Sequence, residues 1–196
     1  MTQLKQTPSQ TVGPFFAYGL SPEQYGYDLK SLFTPALAQP HAAGEHIRIT
    51  GQVFDGKGQS VLDAIVEISQ LDAGGHPVTT PGDVEAKGFT GFGRCGTGTL
   101  PGHHFEFATV KPGAVAAGQA PYINVCVMMR GLLVHTFTRI YFDDEAAANA
   151  RDEVLASVPK ARRGTLVAKR SVDGAGVVYR FDIRMQGESE TVFFDL

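Results

Sequence analysis

Cysteine is scarce in this chain of 196 residues: only Cys95 and Cys126 occur, and they form no C-x-x-C pair. Two thiols alone do not make the disulfide framework of a small secreted domain. Cys126 lies in an apolar run, where a buried thiol is the ordinary reading. Basic runs are equally short, none exceeding the Arg162, Arg163 pair, and the net charge is -3 with a pI near 6.0. A basic face for nucleic acid is therefore disfavoured. No segment reaches the roughly 18 apolar residues of a membrane span. The start, MTQLKQTPSQTVGPFF, has neither the apolar core nor the small-residue cleavage site of a secretory leader. The expectation is a cytoplasmic protein with no nucleic-acid and no membrane partner. Tyrosine is missing from a long internal stretch, with none between Tyr27 and Tyr122.

With 43% hydrophobic residues the chain can bury one domain and carry an arm. Residues 1–44 hold turn signals and scattered aromatics without a sustained period, which suggests an arm that packs on a scaffold or a partner chain. Burying Phe15, Phe16 and Tyr18 is the physical expectation for such an arm. From Glu45 the period becomes two: Ile47, Ile49, Gly51 and Val53 share one face, and His46, Arg48, Thr50 and Gln52 the other. Val66 and Ile68, then Phe105 and Phe107, alternate with polar residues in further strands. Ile123 to Met129 is almost continuously apolar and Leu132 to Phe142 is rich in β-branched and aromatic residues, as central strands are.

One helix is expected over 144–158, capped by Asp143 or Asp144 and stopped by Pro159. Alternation resumes at Tyr179, Phe181, Ile183 and Met185, and Thr191 to Asp195 reads as a last short strand. The fold class is all-β: residues 45–196 form a two-sheet β-sandwich with one late helix. Residues 71–104 read as a long loop rich in Gly, Pro and Thr.

The strings TPSQTVGPFF (Thr7 to Phe16), KPGAVAAGQAPYINVCVMMR (Lys111 to Arg130), FDDEAAANA (Phe142 to Ala150) and YRFDIRMQGESETVFFDL (Tyr179 to Leu196) carry a resemblance over nearly the whole chain. The chain resembles the intradiol ring-cleaving dioxygenase family, most closely its protocatechuate-cleaving members. In that family a K-P-G-x-Y turn supplies a tyrosine ligand to ferric iron, a P-x-H-x-H strand supplies two histidines, and an upstream loop supplies a second tyrosine. Here the turn reads Lys111, Pro112, Gly113, Ala114, Val115, and the strand reads Pro121, Tyr122, Ile123, Asn124, Val125. The tyrosine-free stretch removes the fourth ligand. Valine has no lone pair and an amide is a poor donor for a hard ferric ion.

The resemblance implies a two-chain enzyme. Its β chain holds the Fe(3+), and its metal-free α chain matches this sequence, with αβ units assembling into a larger symmetric particle. The substrate implied is a small aromatic acid, 3,4-dihydroxybenzoate, cleaved with O₂ between its hydroxyl-bearing carbons to 3-carboxy-cis,cis-muconate. The same resemblance carries Thr11, Gly13, Pro14 and Arg130 over as pocket-wall residues beside the β-chain iron, while Phe15 departs from the tyrosine of some relatives. A guanidinium such as that of Arg130 can pair with a carboxylate in bidentate fashion.

The bland alternatives are an Arg130 paired to an ordinary acid at a strand end, and a plain Gly-Pro turn over 11–14. His46, His103, His104 and His135 lack metal-ligand spacing, a buried tyrosine with one hydrogen bond is the default for Tyr122, and a satisfied core or interface histidine is the default for His135. A different class of reading is a non-catalytic binding module that keeps a degenerate aromatic-acid pocket. A third is a self-sufficient enzyme using another metal.

Overall fold

The computed structural model describes residues 5–116 and 118–195. Residues 1–4, Ala117 and Leu196 lie outside them. The described residues contain nine strands: β1 (His46–Phe54), β2 (Ile65–Ser69), β3 (Phe92–Gly96), β4 (His104–Val110), β5 (Ile123–Met128), β6 (Thr136–Phe142), β7 (Val167–Asp173), β8 (Gly176–Arg180) and β9 (Ile183–Arg184). Their order is β3-β2-β5-β6-β7-β8-β1-β4, with β9 beside β1. Among the described residues the two halves of this path are paired strand to strand where β6 and β7 run in parallel, Tyr141 with Val167 and Phe142 with Ala168. One core joins them: Ile47, Ile49, Phe105 and Phe107 of one half cluster with Val66, Ile68, Val125 and Val127 of the other. That is the expected two-layer β architecture.

Alternation decides which residues meet in this core. In β1 the residues Ile47, Ile49 and Val53 are fully buried, while Arg48, Thr50 and Gln52 are half-buried. Gly51 shares the buried face because Phe181 crosses it. A Cβ on Gly51 would overlap the Phe181 carbonyl, and Phe181 N–H donates to Thr50 O at 2.8 Å. In β5 the core face is Ile123, Val125 and Val127, and the outer face is Asn124, Cys126 and Met128.

The stretch 71–104 contains a helix and a strand that periodicity does not reveal. Helix α2 (Pro81–Lys87) has Pro at its start, and Thr80 and Asp83 form a reciprocal capping box. Backbone N–H bonds from Thr79 and Thr80, with the Thr79 hydroxyl, push the Asp83 carboxyl down to about 2. Strand β3 is hidden because two of its five residues are glycines. A Cβ on Gly93 would strike Leu37 and one on Gly96 would strike Tyr25, so strand propensity yields there to close approach.

The single helix expected over 144–158 is divided. A 3-10 turn at Asp143–Glu145 leads into α3 (Ala146–Asn149), and α4 (Glu153–Ser157) follows after a break. Asp152 makes the break: it is extended in backbone and buried, and its carboxylate accepts from Leu155 N at 2.8 Å, Ala120 N at 3.1 Å and the Tyr141 hydroxyl at 3.1 Å. The C-terminal residues near Thr191 contribute only an isolated bridge, Phe137 to Phe194. The strand expected from Leu132 begins at Thr136, after a turn.

In the first 44 residues, Phe16–Leu20 forms α1, and Tyr18 packs against Tyr25 and Tyr27. Residues 34–38 run along the edge of β4, where Leu37 N donates to Ala108 O at 2.8 Å. No helix of the described residues is long and apolar enough to cross a membrane.

Candidate functional site

The outer face of the β3-β2-β5-β6 half positions the candidate site. Across the ladder Ser69 lies opposite Asn124 and Asn124 opposite Arg139, and Tyr122 precedes Asn124 by two residues on the same face. Tyr122 and Asn124 line a cleft of about 410 Å³ together with Val115. Pro77 and Val78 enter it from the tyrosine-free loop. The structure thus brings Val115, at the expected tyrosine position, together with Tyr122 and Asn124 of the strand where histidines are expected. A literal count of P-x-H-x-H from Pro121 falls on Ile123 and Val125, but both face the core. The cleft-facing positions are Tyr122 and Asn124.

The KPG turn sets the position of Val115. Gly113 N–H donates to Asp72 O at 2.9 Å, and the two backbones lie so close that a Cβ on Gly113 would fall 2.5 Å from Gly75 N and 2.7 Å from Ala73 O. Only glycine permits that approach. Lys111, at the head of the turn, reaches Glu145 Oε1 at 2.7 Å and Asp144 Oδ2 at 2.9 Å above the Phe142 and Tyr179 rings. Burial alone would lower the Lys111 ammonium pKa, but the hydrogen bonds it donates to both carboxylates outweigh it and raise it well above its ordinary value. Burial would raise the Asp144 carboxyl, yet bonds from Lys111 and Tyr179 hold it low. Burial and the bond it donates to Asp144 push the Tyr179 hydroxyl up to about 12. This cluster ties the turn to the segment after β6.

Arg139 lies over the Tyr122 ring, 4.1 Å from its centroid, and among the described residues no charged one lines the cleft. As a ferric site the arrangement does not fit. Val115 has no lone pair, Asn124 offers a neutral amide, and Tyr122 alone supplies an oxygen of the favoured type. No three or more His, Cys, Asp and Glu residues cluster to hold a metal among the described residues. Three of the four candidate histidines serve local structure: His46 pairs with Ala42 O, His104 with Pro101 O, and His135 packs edge-on to Phe137, while the buried Nδ1 of His103 meets no partner among the described residues.

Thr11 and Arg130 sit at the other end of β5. Thr11 Oγ1 accepts from Gly131 N at 2.9 Å, which lays the arm against the turn that carries Arg130. Arg130 Nε donates to Asp63, a residue that sequence reasoning did not single out. Gly13 and Pro14 follow in the same exposed turn, just before α1. A groove of about 340 Å³ along the outer face shares Ser69 and Asn124 with the cleft, and it shares Met128 and His135 with the cavity under the arm. Thr11, Gly13, Pro14 and Arg130 therefore do not wall this chain's own cleft.

No protein-family model matches the chain. Among curated proteins it is 65% identical to the protocatechuate 3,4-dioxygenase alpha chain of Burkholderia cepacia, over 100% of both chains. It is 47% identical to the alpha chain of Pseudomonas putida, over 98% of this chain and 97% of that one. The chain belongs to the protocatechuate 3,4-dioxygenase alpha-chain family. The beta chain from Burkholderia cepacia is 30% identical over 76% of this chain and 67% of its own length. Among solved structures, the dioxygenase domain of a carbohydrate-binding fusion from Streptomyces sp. SirexAA-E superposes with a TM-score of 0.59 at 19% identity, covering 95% of this chain and 100% of that one. That likeness supports the sandwich fold.

Proposed function

We propose that this chain is the α subunit of a protocatechuate 3,4-dioxygenase and functions in the cytoplasm bound to a homologous β chain that holds the Fe(3+). The observation that carries this reading is the cleft itself: Val115, Tyr122 and Asn124 occupy it in a chain 65% identical over its full length to an alpha chain. The αβ enzyme cleaves 3,4-dihydroxybenzoate between its two hydroxyl-bearing carbons. Both atoms of O₂ enter the product, 3-carboxy-cis,cis-muconate. Free thiols at Cys95 and Cys126 are compatible with a reducing compartment.

On this reading Thr11, Gly13, Pro14 and Arg130 project from an exposed edge to wall the partner's pocket. Asp63 takes only the Nε–H of Arg130, so the terminal amino groups remain for a substrate carboxylate. The test is co-expression with a β chain that carries both K-P-G-x-Y and P-x-H-x-H. The pair is expected to co-purify as coloured, active enzyme, and this chain alone as colourless and inactive. A lone chain that binds stoichiometric iron and turns over substrate would overturn the proposal.

A further inference from the structure

We propose that the cleft of Val115, Tyr122 and Asn124 is a second, non-catalytic binding site for a small hydroxylated aromatic ring. Its volume of about 410 Å³ falls within the range of ordinary small-molecule sites, roughly 300–1,000 Å³. Pro77, Val78, Phe92 and Val115 supply apolar walls. Three polar side chains, Ser69, Tyr122 and Asn124, open into it, and none has a side-chain hydrogen bond to the described residues. The other polar side chains of the lining are spent. Gln70 donates to Val110 O at 2.8 Å and accepts from Thr109 at 2.9 Å, and Thr90 donates to Phe92 O at 2.8 Å.

The free groups define the ligand. Two hydroxyls and an amide each donate and accept, which matches ring hydroxyls that do the same. Ser69 and Asn124 are direct cross-strand neighbours, so both can bond one edge of a ring. The lining holds no ionised side chain, so a charged substituent would point out to solvent. Arg139 over the Tyr122 face keeps that ring in place before any ligand arrives, and preorganisation favours binding. The site goes beyond the α-subunit reading and uses only residues of this chain.

The probe is 4-fluorophenol, whose single hydroxyl makes it no substrate for cleavage between two hydroxyl-bearing carbons. A ¹⁹F NMR titration of the full-length chain should show one saturable site. Asn124→Leu should weaken it about tenfold, the loss of roughly one neutral hydrogen bond, and Val115→Trp, which fills the cleft, should abolish it. In the αβ enzyme the wild type should hold one probe more per αβ unit than the Val115→Trp enzyme. Circular dichroism and melting curves confirm that the variants are folded. No saturable binding by the folded chain, equal stoichiometry in the two αβ enzymes, or binding untouched in both variants would overturn the proposal. Failure of the α-subunit reading shows separately, as a chain that does not co-purify with the β chain.

Discussion

Asp63 accepts the Nε–H of Arg130, joining a carboxylate whose side chain is 14% exposed to a guanidinium that is 54% exposed. The sheltered partner fixes the exposed one. The fork of the guanidinium then faces outward with its paired amino groups free, the geometry that suits a carboxylate.

Arg130→Ala in the αβ enzyme should therefore raise KM for 3,4-dihydroxybenzoate while leaving the iron content of the enzyme unchanged. A charge-assisted hydrogen bond contributes about 1.5–3 kcal/mol, so kcat/KM should fall roughly tenfold to a hundredfold. Asp63→Asn keeps the cation and loosens its anchor, and should produce a smaller change of the same sign. Steady-state kinetics with the carboxylated substrate and with unsubstituted catechol separate the contributions, since only the carboxylated substrate should respond. Equal losses on both substrates would rule out a carboxylate-pairing role.

Asp152→Ala should be among the most destabilising polar substitutions in the chain. The buried carboxylate satisfies Ala120 N, Leu155 N and the Tyr141 hydroxyl at once. Its removal strands all three donors and deletes the cap of α4, a loss of about 3–5 kcal/mol. Tyr141→Phe deletes one donor and leaves the others paired, costing about 1 kcal/mol. Urea unfolding midpoints at pH 7 check both values. A midpoint of Asp152→Ala matching that of Tyr141→Phe would show that water replaces the carboxylate.

The strands were legible where side-chain alternation reports burial, as in β1 and β5, because the buried face must be apolar. β3 was not, since Gly93 and Gly96 answer to neighbours distant in sequence, Leu37 and Tyr25. The break at Asp152 was equally hidden. Its alanine-rich surroundings favour one continuous helix, and only the fold shows that the carboxylate is drawn inward by Tyr141 and Ala120. α2 is a different case: Thr80, Pro81 and Asp83 carry a complete start signal, and Gly88 a left-handed stop. Val115 of the cleft was legible as a substituted motif position, whereas the burial of Ile123 and Val125 was needed to assign Tyr122 and Asn124 to it. The free Ser69 of the cleft and the Asp63 anchor were not legible, because cross-strand register and ion pairing leave no mark in a single sequence.

Stability should be level through neutral pH and fall at both ends. Burial raises the Asp144 carboxyl, but Lys111 and Tyr179 more than offset this and hold it low. A carboxylate with a depressed folded pKa stabilises above its unfolded value, near pH 4, and loses that contribution as pH falls through the folded value. The Lys111 pKa is raised, so its contribution is complete below about pH 10.5 and is lost as pH rises beyond. Lys111→Met should shrink both limbs, because it removes the cation that depresses Asp144. Denaturation midpoints from pH 3 to 11 test this. A Lys111→Met profile parallel to wild type would place the acid and alkaline losses elsewhere.

Gly113→Ala should both destabilise the chain and disturb the cleft. The added methyl would sit 2.5 Å from Gly75 N, which is backbone and cannot rotate away, so the 72–75 turn must shift. Forced overpacking of this kind costs about 1–3 kcal/mol. Gly58→Ala makes the control, since its φ of 74° strains the backbone while its surroundings are open. It should lose about 1 kcal/mol without touching the cleft. The two losses of stability overlap, but their effects on 4-fluorophenol binding should not. The turn that Gly113 presses on leads directly to Pro77 and Val78 in the cleft wall. Gly113→Ala should weaken the probe and Gly58→Ala should not. Unchanged binding in Gly113→Ala would mean that the wall keeps its shape independently of the KPG turn.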